Sequence, residues 1–444
     1  CLRLAARIQL FKIRPQIVGL TGSVGKTSLR NAITAVLSGT YRVKYSKKAN
    51  SETGIPLDLL DLHPRDYSLG DWVRLGLSVP IQLLVNWKKY DVYVVELGID
   101  DPFPPKNMEY LLRFIKPDIG VFLNVAPVHT EQFSKLLPSD VVVSPKQKTR
   151  LILQAIALEK GKIITRLPAD KIAVVNRDDV LVWKQAQKTK ARVVTFGKQD
   201  QSKVIIKSVT HQFAAKNRLR PQDVQTHLEF RYQGHTYGLS LPLLVPDYYA
   251  STLAAALTVG LQMGITMEKI LMALGERFVL PPGRMSLFAG THQSLIIDSS
   301  YNASKQSTLG TLELLSKIPQ KPKVVVLGDM RELGAVAGSE HGIVAKKILA
   351  VADQVILIGP LTRKYVLSVV SPKLPTRWFA NSWEAAAWLK KKLKAGSVVL
   401  VKGSQNMIFT EVVVEQLLAY SQDKNSLCRR GRYWNEQRQK SRLA

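Results

Sequence analysis

The stretch that most limits what this chain can fold into is residues 17–30, IVGLTGSVGKTSLR. Ile17 to Leu20 is a short apolar run of strand character. Thr21, Gly22, Ser23, Val24, Gly25, Lys26, Thr27 and Ser28 then break it, and Leu29 onward reads as a helix. A glycine-rich turn between a strand and a helix N-terminus aims several backbone N–H groups at one spot, where the helix dipole also favours an anion. Lys26 adds a positive charge for a phosphate, and the Thr27 hydroxyl can complete a Mg²⁺ shell. The longer phosphate-loop pattern has a glycine where Leu20 stands, so this is the shortened TGxxGKT form. A GKT triplet alone occurs by chance. With a strand before it and a helix after it, the reading is nucleotide phosphate binding.

The same strand–helix rhythm continues. Tyr41 to Tyr45 reads as a second strand, and Asn50 to Leu57 as a polar loop whose Gly54 and Pro56 start a helix. Tyr93 to Val95 is a buried-type strand ending at Glu96, the place where a P-loop protein keeps a Mg²⁺-binding acid. Asp118 to Asn124 runs as a strand into VAPVHTE, so His129 also falls at a strand's carboxyl end. A lone histidine is more often structural than a ligand, and the residues alone leave its role open. Gln147 to Lys162 reads as a helix and Ala173 to Asn176 as a strand, which argues a mostly parallel sheet. Past residue 203, Val204–Ser208, His227–Tyr232 and Thr236–Leu241, with a Gln233-Gly234 turn, predict a small antiparallel patch. Tyr249 to Met263 follows as a helix.

Pro281-Pro282-Gly283-Arg284 marks a domain boundary, because proline cannot continue a helix and the pair makes a stiff hinge. Beyond it, strands at Leu295–Asp298, Val324–Leu327, Gln354–Ile358 and Val398–Val401 predict a smaller, Rossmann-like α/β unit without a P-loop. The expected organisation is a basic lead (1–14), a central P-loop domain (15–281), a C-terminal α/β domain (282–420) and a basic tail (421–444).

Charge narrows the partners. Among 444 residues, Lys and Arg number 63 against 34 acids, a formal charge of +29. Such a field favours nucleic acid, anionic lipid, or nucleotide-linked and carboxylated substrates, without choosing among them. The only cysteines, Cys1 and Cys428, exclude a disulfide framework and a Cys-based metal site, and fit a reducing, cytoplasmic setting. The lead, CLRLAARIQLFKIR, is basic and amphipathic and too short to span a bilayer. Lying on an anionic membrane at the inner face and packing on the next domain both stay open for it. The uncharged run Leu75–Asn86, interrupted by Pro80, reads as a buried helix. The arginine-rich tail from Ser426 reads as a solvated or partly helical end. No arginine-finger or helicase-like motif accompanies the charge, so nucleic acid is not expected, and a monomer is.

TGSVGKTS, NSETGIPL, VVELG, NVAPVHTEQF, ALEKGKI, VVNRDD, PPGRM, IIDSSYNAS, VLGDMRELG and LVKGS stand in this order along the chain. Together they resemble the Mur ligase family, and within it the branch that joins D-alanyl-D-alanine (D-Ala-D-Ala) to a UDP-MurNAc-tripeptide. The resemblance runs from Pro15 to about Leu417 and implies ATP-dependent amide-bond formation with ATP and Mg²⁺ as cofactors. A substrate carboxylate attacks the γ-phosphate of ATP, and the resulting acyl phosphate is taken by an incoming amine. The physical obstacle is one anion approaching another, which only bound cations and fixed donors offset at close range. By resemblance, Lys26 and the loop amides match the phosphate cradle, and Thr27, Glu96 and His129 match metal-binding positions. Lys160 matches a lysine that several relatives carbamylate to hold a second Mg²⁺. Arg284 matches a hinge arginine that reaches the phosphates when the domains close. Asn302, Asp329 and Lys402 match polar positions of the C-terminal domain, and Asn50 and Ser51 match the loop near the UDP-substrate.

Some positions depart from the pattern. GxHxxxN reads Val245, Asp247 and Ser251, which removes the nucleotide-side asparagine. Ser299 replaces a second aspartate after Asp298, and Ser304-Lys305 replaces Asn-Pro. Lys162 replaces a glutamate and puts a positive charge beside Lys160. By resemblance a UDP-binding domain is expected ahead of the P-loop strand, where only about fifteen residues stand; either the numbering starts inside a longer chain or the substrate is gripped differently. Two other functions therefore stay in view: a nucleotide-binding scaffold that lost turnover, and a folylpolyglutamate-synthetase-like ligase. Tyr301, where that second family has histidine, speaks against the latter.

Overall fold

In the computed structural model, which describes residues 2–47, 49–128, 130–137, 144–214, 218–404 and 407–443, the apolar runs become strands of two sheets. The first holds β1 (Gln16–Thr21), β2 (Val43–Tyr45), β3 (Val92–Glu96), β4 (Ile119–Phe122), β5 (Ile172–Asn176), β6 (Arg192–Gly197), β7 (Val204–Phe213), β8 (Val224–Tyr232) and β9 (His235–Leu241). Their order is β2-β3-β1-β4-β5-β6-β7-β8-β9, with every pairing from β2 to β7 parallel. The chain leaves β1 for β2 and β3 on one side and returns to β4 on the other. The carboxyl end of β1 is therefore a topological switch point, where open α/β sheets bind ligands. Gln233 and Gly234 both take positive φ, 49° and 85°, and close β8 and β9 as a tight hairpin.

The second sheet holds β10 (Ser286–Ala289), β11 (Leu295–Ser299), β12 (Lys323–Gly328), β13 (Gln354–Ile358), β14 (Thr376–Phe379) and β15 (Val398–Lys402) in the order β10-β11-β15-β12-β13-β14. Only the β10–β11 pair is antiparallel. The chain divides into two compact units. One comprises residues 1–208, 229–239 and 250–279, the other 209–228, 240–249 and 280–444. Each has its own apolar core, around Ile17, Val95, Phe122, Ile156 and Val175 in the first and Ile296, Val326, Ile356, Val401 and Leu417 in the second.

Four helices decorate the start of the first unit: α1 (Leu2–Ile13), α2 (Lys26–Leu37), α3 (Gly54–Leu59) and α4 (Leu69–Val85). The basic lead is helix α1, which buries Ala5, Ala6 and Gln9. One expectation is corrected. Of the uncharged run Leu75–Asn86, Leu75–Val85 lies within α4, which passes through Pro80 and ends at the Asn86 cap, but the helix is not buried: of its residues only Asp71 and Leu75 are. An uncharged run favours burial without saying what, if anything, covers it. The tail, read as a solvated or partly helical end, forms a helix over Arg432–Leu443, and Leu427, Cys428 and Arg429 ahead of it are buried. No helix among the described residues is long and apolar enough to cross a membrane.

Candidate functional site

The P-loop turn is shaped by three features of the sequence. Gly25 has φ +86°, and a Cβ there would meet Leu123 and Thr252 at 3.2 and 3.3 Å, so only glycine fits without strain. Thr21 is buried and its hydroxyl donates to Leu97 O at 2.9 Å, tying β1 to the end of β3. The amides of Ser23 and Val24 donate to Asn124 Oδ1 at 3.0 and 2.9 Å, and Asn124 Nδ2 returns a bond to Val24 O at 3.0 Å. The Ser23 hydroxyl also bridges Ala126 O and N. These contacts give the Ser23 and Val24 amides to loop architecture. Gly25, Lys26, Thr27 and Ser28 stand where α2 begins, at the positive end of its dipole. Sequence reasoning gave Asn124 no role. The role comes from strand pairing that no local motif announces: β1 pairs with β4 with Thr21 opposite Phe122, which puts residue 124 beside residue 23.

Glu96 ends β3 opposite Leu20 in the ladder, almost fully buried. The Thr27 hydroxyl donates to Glu96 Oε2 at 3.0 Å, and the Glu96 amide donates to Ser46 Oγ at 3.0 Å. The two oxygen donors matched to Mg²⁺ are thus already in contact. The Asn50–Ser51 loop docks on the same strand end: Gly98 N donates to Asn50 O at 2.8 Å, and Ser51 Oγ accepts from Gly54 N at 3.1 Å.

Lys160 projects from the helix Pro145–Thr165 and is 1% exposed, with Nζ donating to Ile99 O at 3.3 Å. Burial, together with the nearby charge of Lys26, pulls its pKa down to about 7, against the attraction of Asp100, Glu96 and Glu159. Lys162 does not place its charge on Lys160. Its ammonium pairs with Glu159 Oε2 at 2.6 Å and lies 3.8 Å from Glu109, because residues two apart on a helix face different ways. His129 lies outside the described residues.

In the second unit a separate cation cluster forms at the strand ends. Lys402 is buried opposite Ser299 in the β11–β15 ladder. Its Nζ donates to Asn302 O at 2.7 Å and Ser299 Oγ at 3.2 Å, neutral acceptors where an aspartate at 299 would have given an ion pair. Burial and the charge of Arg284 bring its pKa down to about 7, against the pull of Asp298. The Arg284 guanidinium stacks 4.4 Å from the Tyr301 ring centroid, and Arg429 approaches the same ring at 5.5 Å. Arg429 also donates to Tyr301 O and to buried Glu411, at 2.6 Å each, so a tail residue holds the Ser300–Asn302 turn. No local motif announces that contact. Asn302 itself is exposed. Asp329 is buried and accepts from Thr362 N at 2.8 Å, with its carboxylate 2.8 Å from where a Gly359 Cβ would stand. That environment makes Asp329 a brace for the 359–362 turn and raises its pKa by burial. Ser304, replacing asparagine, caps the next helix through Ser307 N, and Lys305 pairs with Glu340 at 2.7 Å.

A P-loop at the switch point of a parallel sheet, a part-buried hydroxyl–carboxylate pair and a buried lysine define a nucleotide-binding enzyme domain, followed here by a second α/β unit. The chain belongs to the Mur ligase family: the Mur ligase middle domain matches residues 152–259, and the Mur ligase glutamate ligase domain matches residues 283–405. The UDP-N-acetylmuramoyl-tripeptide–D-alanyl-D-alanine ligase of Synechocystis is 27% identical over 410 residues, covering 91% of this chain and 74% of that protein. The same-named ligase of Escherichia coli is 26% identical, covering 90% and 77%. The crystal structure of MurF ligase from Thermotoga maritima in complex with ADP superposes with a TM-score of 0.73 at 23% identity, covering 99% of this chain and 84% of that one.

Proposed function

We propose that this chain is an ATP-dependent, ADP-forming peptide ligase of cell-wall precursor synthesis that joins D-Ala-D-Ala to a UDP-MurNAc-peptide. The observation that carries the reading is the convergence at one sheet edge of the P-loop, the Thr27–Glu96 contact and buried Lys160. Two ligases with this named activity match along some nine-tenths of the chain, at 91% and 90%. A carboxylate oxygen of the peptide attacks the γ-phosphorus, the bond to the β-phosphate oxygen breaks, and ADP leaves. The amine of D-Ala-D-Ala then adds to the acyl carbon, loses a proton, and expels inorganic phosphate.

Lys26 and the amides opening α2 neutralise the phosphates. Among the described residues no three His, Cys, Asp or Glu side chains cluster as a metal cage. Mg²⁺ needs none, because it takes one or two carboxylates with phosphate oxygens and water. The hard-oxygen pair of Thr27 and Glu96 fits it, and by resemblance His129 and Lys160 are also assigned to metal; when bound, Mg²⁺ would supply charge neutralisation between carboxylate and phosphate. A lysine with pKa near 7 is substantially neutral at physiological pH, the form that adds CO₂, which suits Lys160 for carbamylation. Arg284, Asn302 and Lys402 are assigned to anionic groups of the nucleotide and substrate. Asn50 and Ser51 are assigned to the UDP-peptide. Both nucleotide substrates belong to the cytoplasm, and so does the reaction.

The test is phosphate release by the purified protein given ATP, Mg²⁺, a UDP-MurNAc-tripeptide and D-Ala-D-Ala. Release should require both organic substrates and yield the coupled peptide by mass spectrometry. Release that ignores the dipeptide would sink the assignment.

A further inference from the structure

Helix α4 is built inside out. Its charged residues face the protein: Asp71 accepts from the amides of Arg65, Asp66 and Tyr67, and Arg74 forks onto Asp71 at 2.6 and 3.0 Å. Its outer side carries Leu69, Val73, Leu77, Ile81 and Leu84, between 56% and 83% exposed. No charged side chain interrupts this stripe, since the exposed positions between them are Gly70, Trp72, Gly76 and Pro80. Trp72 stands near one end of the stripe and Trp87, 61% exposed, just beyond the other. Such a continuous apolar face is not what an ordinary surface helix presents to water.

Helix α1 extends the surface. It packs beside α4, with Gln9 Nε2 donating to Asn86 O at 2.9 Å and Lys12 Nζ to Leu83 O at 2.7 Å. It exposes Leu4, Ile8 and Phe11. Residues 1–14 contain Arg3, Arg7, Lys12 and Arg14 and no acid, and Lys88 and Lys89 follow α4. The Lys12 ammonium lies 4.2 Å from the Trp87 ring centroid, so cation and indole share one edge.

We propose that α4 and α1 form a platform that seats the protein on an anionic bilayer, with α4 lying in the plane of the headgroup boundary. Apolar side chains enter the acyl region, tryptophans sit at the polar interface, and flanking cations meet lipid phosphates. Charge decides between a bilayer and a second copy of the chain. Two copies stacked on this face would bring the cations of both α1 segments together, whereas an anionic surface complements them. At 17 residues, with Asp71 and Arg74 on its inner side, α4 lies on a membrane rather than through it.

The experiment is co-sedimentation of the full chain with vesicles of phosphatidylcholine alone and of phosphatidylcholine mixed with phosphatidylglycerol. Binding to the mixed vesicles is expected, with tryptophan emission quenched by brominated acyl chains. The double variant Leu77→Asp/Ile81→Asp should lose binding at least about tenfold and keep its circular dichroism and melting curve, because both side chains are exposed. Arg3→Glu/Arg7→Glu should lose preference for the anionic vesicles. Undiminished binding by the Leu77→Asp/Ile81→Asp variant would overturn the proposal, leaving only bulk attraction by net charge. So would lipid-independent self-association that this variant abolishes, which would assign the face to a second copy.

Discussion

Lys402 is a buried ammonium whose hydrogen-bond partners, Ser299 and Asn302, are neutral. Its pKa falls from 10.5 to about 7 on folding, first through desolvation and then through Arg284. Between those values the unfolded chain holds a proton that the folded chain has released, so stability rises with pH across that window and is flat below it. Lys402→Met removes the linkage. The stability difference, wild type minus variant, should climb by roughly 1.4 kcal/mol per pH unit between about pH 7 and 10 in urea melts. Parallel curves would mean that Lys402 keeps its proton. Lys160 shares the depressed pKa, and there the consequence is chemical. Lys160→Ala should lose ligase activity and regain part of it with short-chain carboxylic acids that stand in for a carbamate. No rescue would mean an ordinary lysine. Both lysines were legible as candidates from their motifs. Their burial was not, because it arises from helix and strand packing that local sequence does not encode.

At the level of elements, strands β1, β3 and β4 were readable as apolar runs, and the P-loop told where α2 begins. What escaped reading were contacts made across the chain. Asn124 clamps the loop only because β4 lies beside β1, and Arg429 reaches Ser300 and Tyr301 from 129 and 128 residues away. Arg429 and Glu411 form an ion pair at 2.6 Å with side chains 2% and 0% exposed. Losing one partner strands the other charge in the interior. Arg429→Met should therefore destabilise the chain by about 3–5 kcal/mol, with Arg429→Met/Glu411→Leu recovering most of it. Denaturant midpoints decide this. A double variant no better than the single would show that Arg429 acts through the Tyr301 turn instead. Helix α4 illustrates the same limit of reading, since a helix over the uncharged run was legible while its outward direction was not.

Across the whole molecule the excess of 63 basic over 34 acidic side chains gives a long-range positive field, and the proposed substrates, ATP and a UDP-linked peptide acid, are polyanions. Composition alone could not separate this use of charge from nucleic-acid binding; the P-loop, Glu96 and Lys160 gathered at one sheet edge make a small anionic substrate the economical explanation. A field of this kind speeds encounter and is screened over about 10 Å at 0.1 M salt, while contacts inside a buried site are screened far less. Raising NaCl from about 0.02 to 0.2 M should therefore lower kcat/KM for the UDP-peptide several-fold and leave kcat nearly unchanged. Initial rates at saturating and limiting substrate separate the two parameters, with circular dichroism at each salt as the check on folding. An equal fall in kcat would place the charge in the catalytic step rather than in capture. Salt-independent kcat/KM would mean that the positive field serves another surface, of which the cation-edged α1–α4 platform is the clearest on this chain.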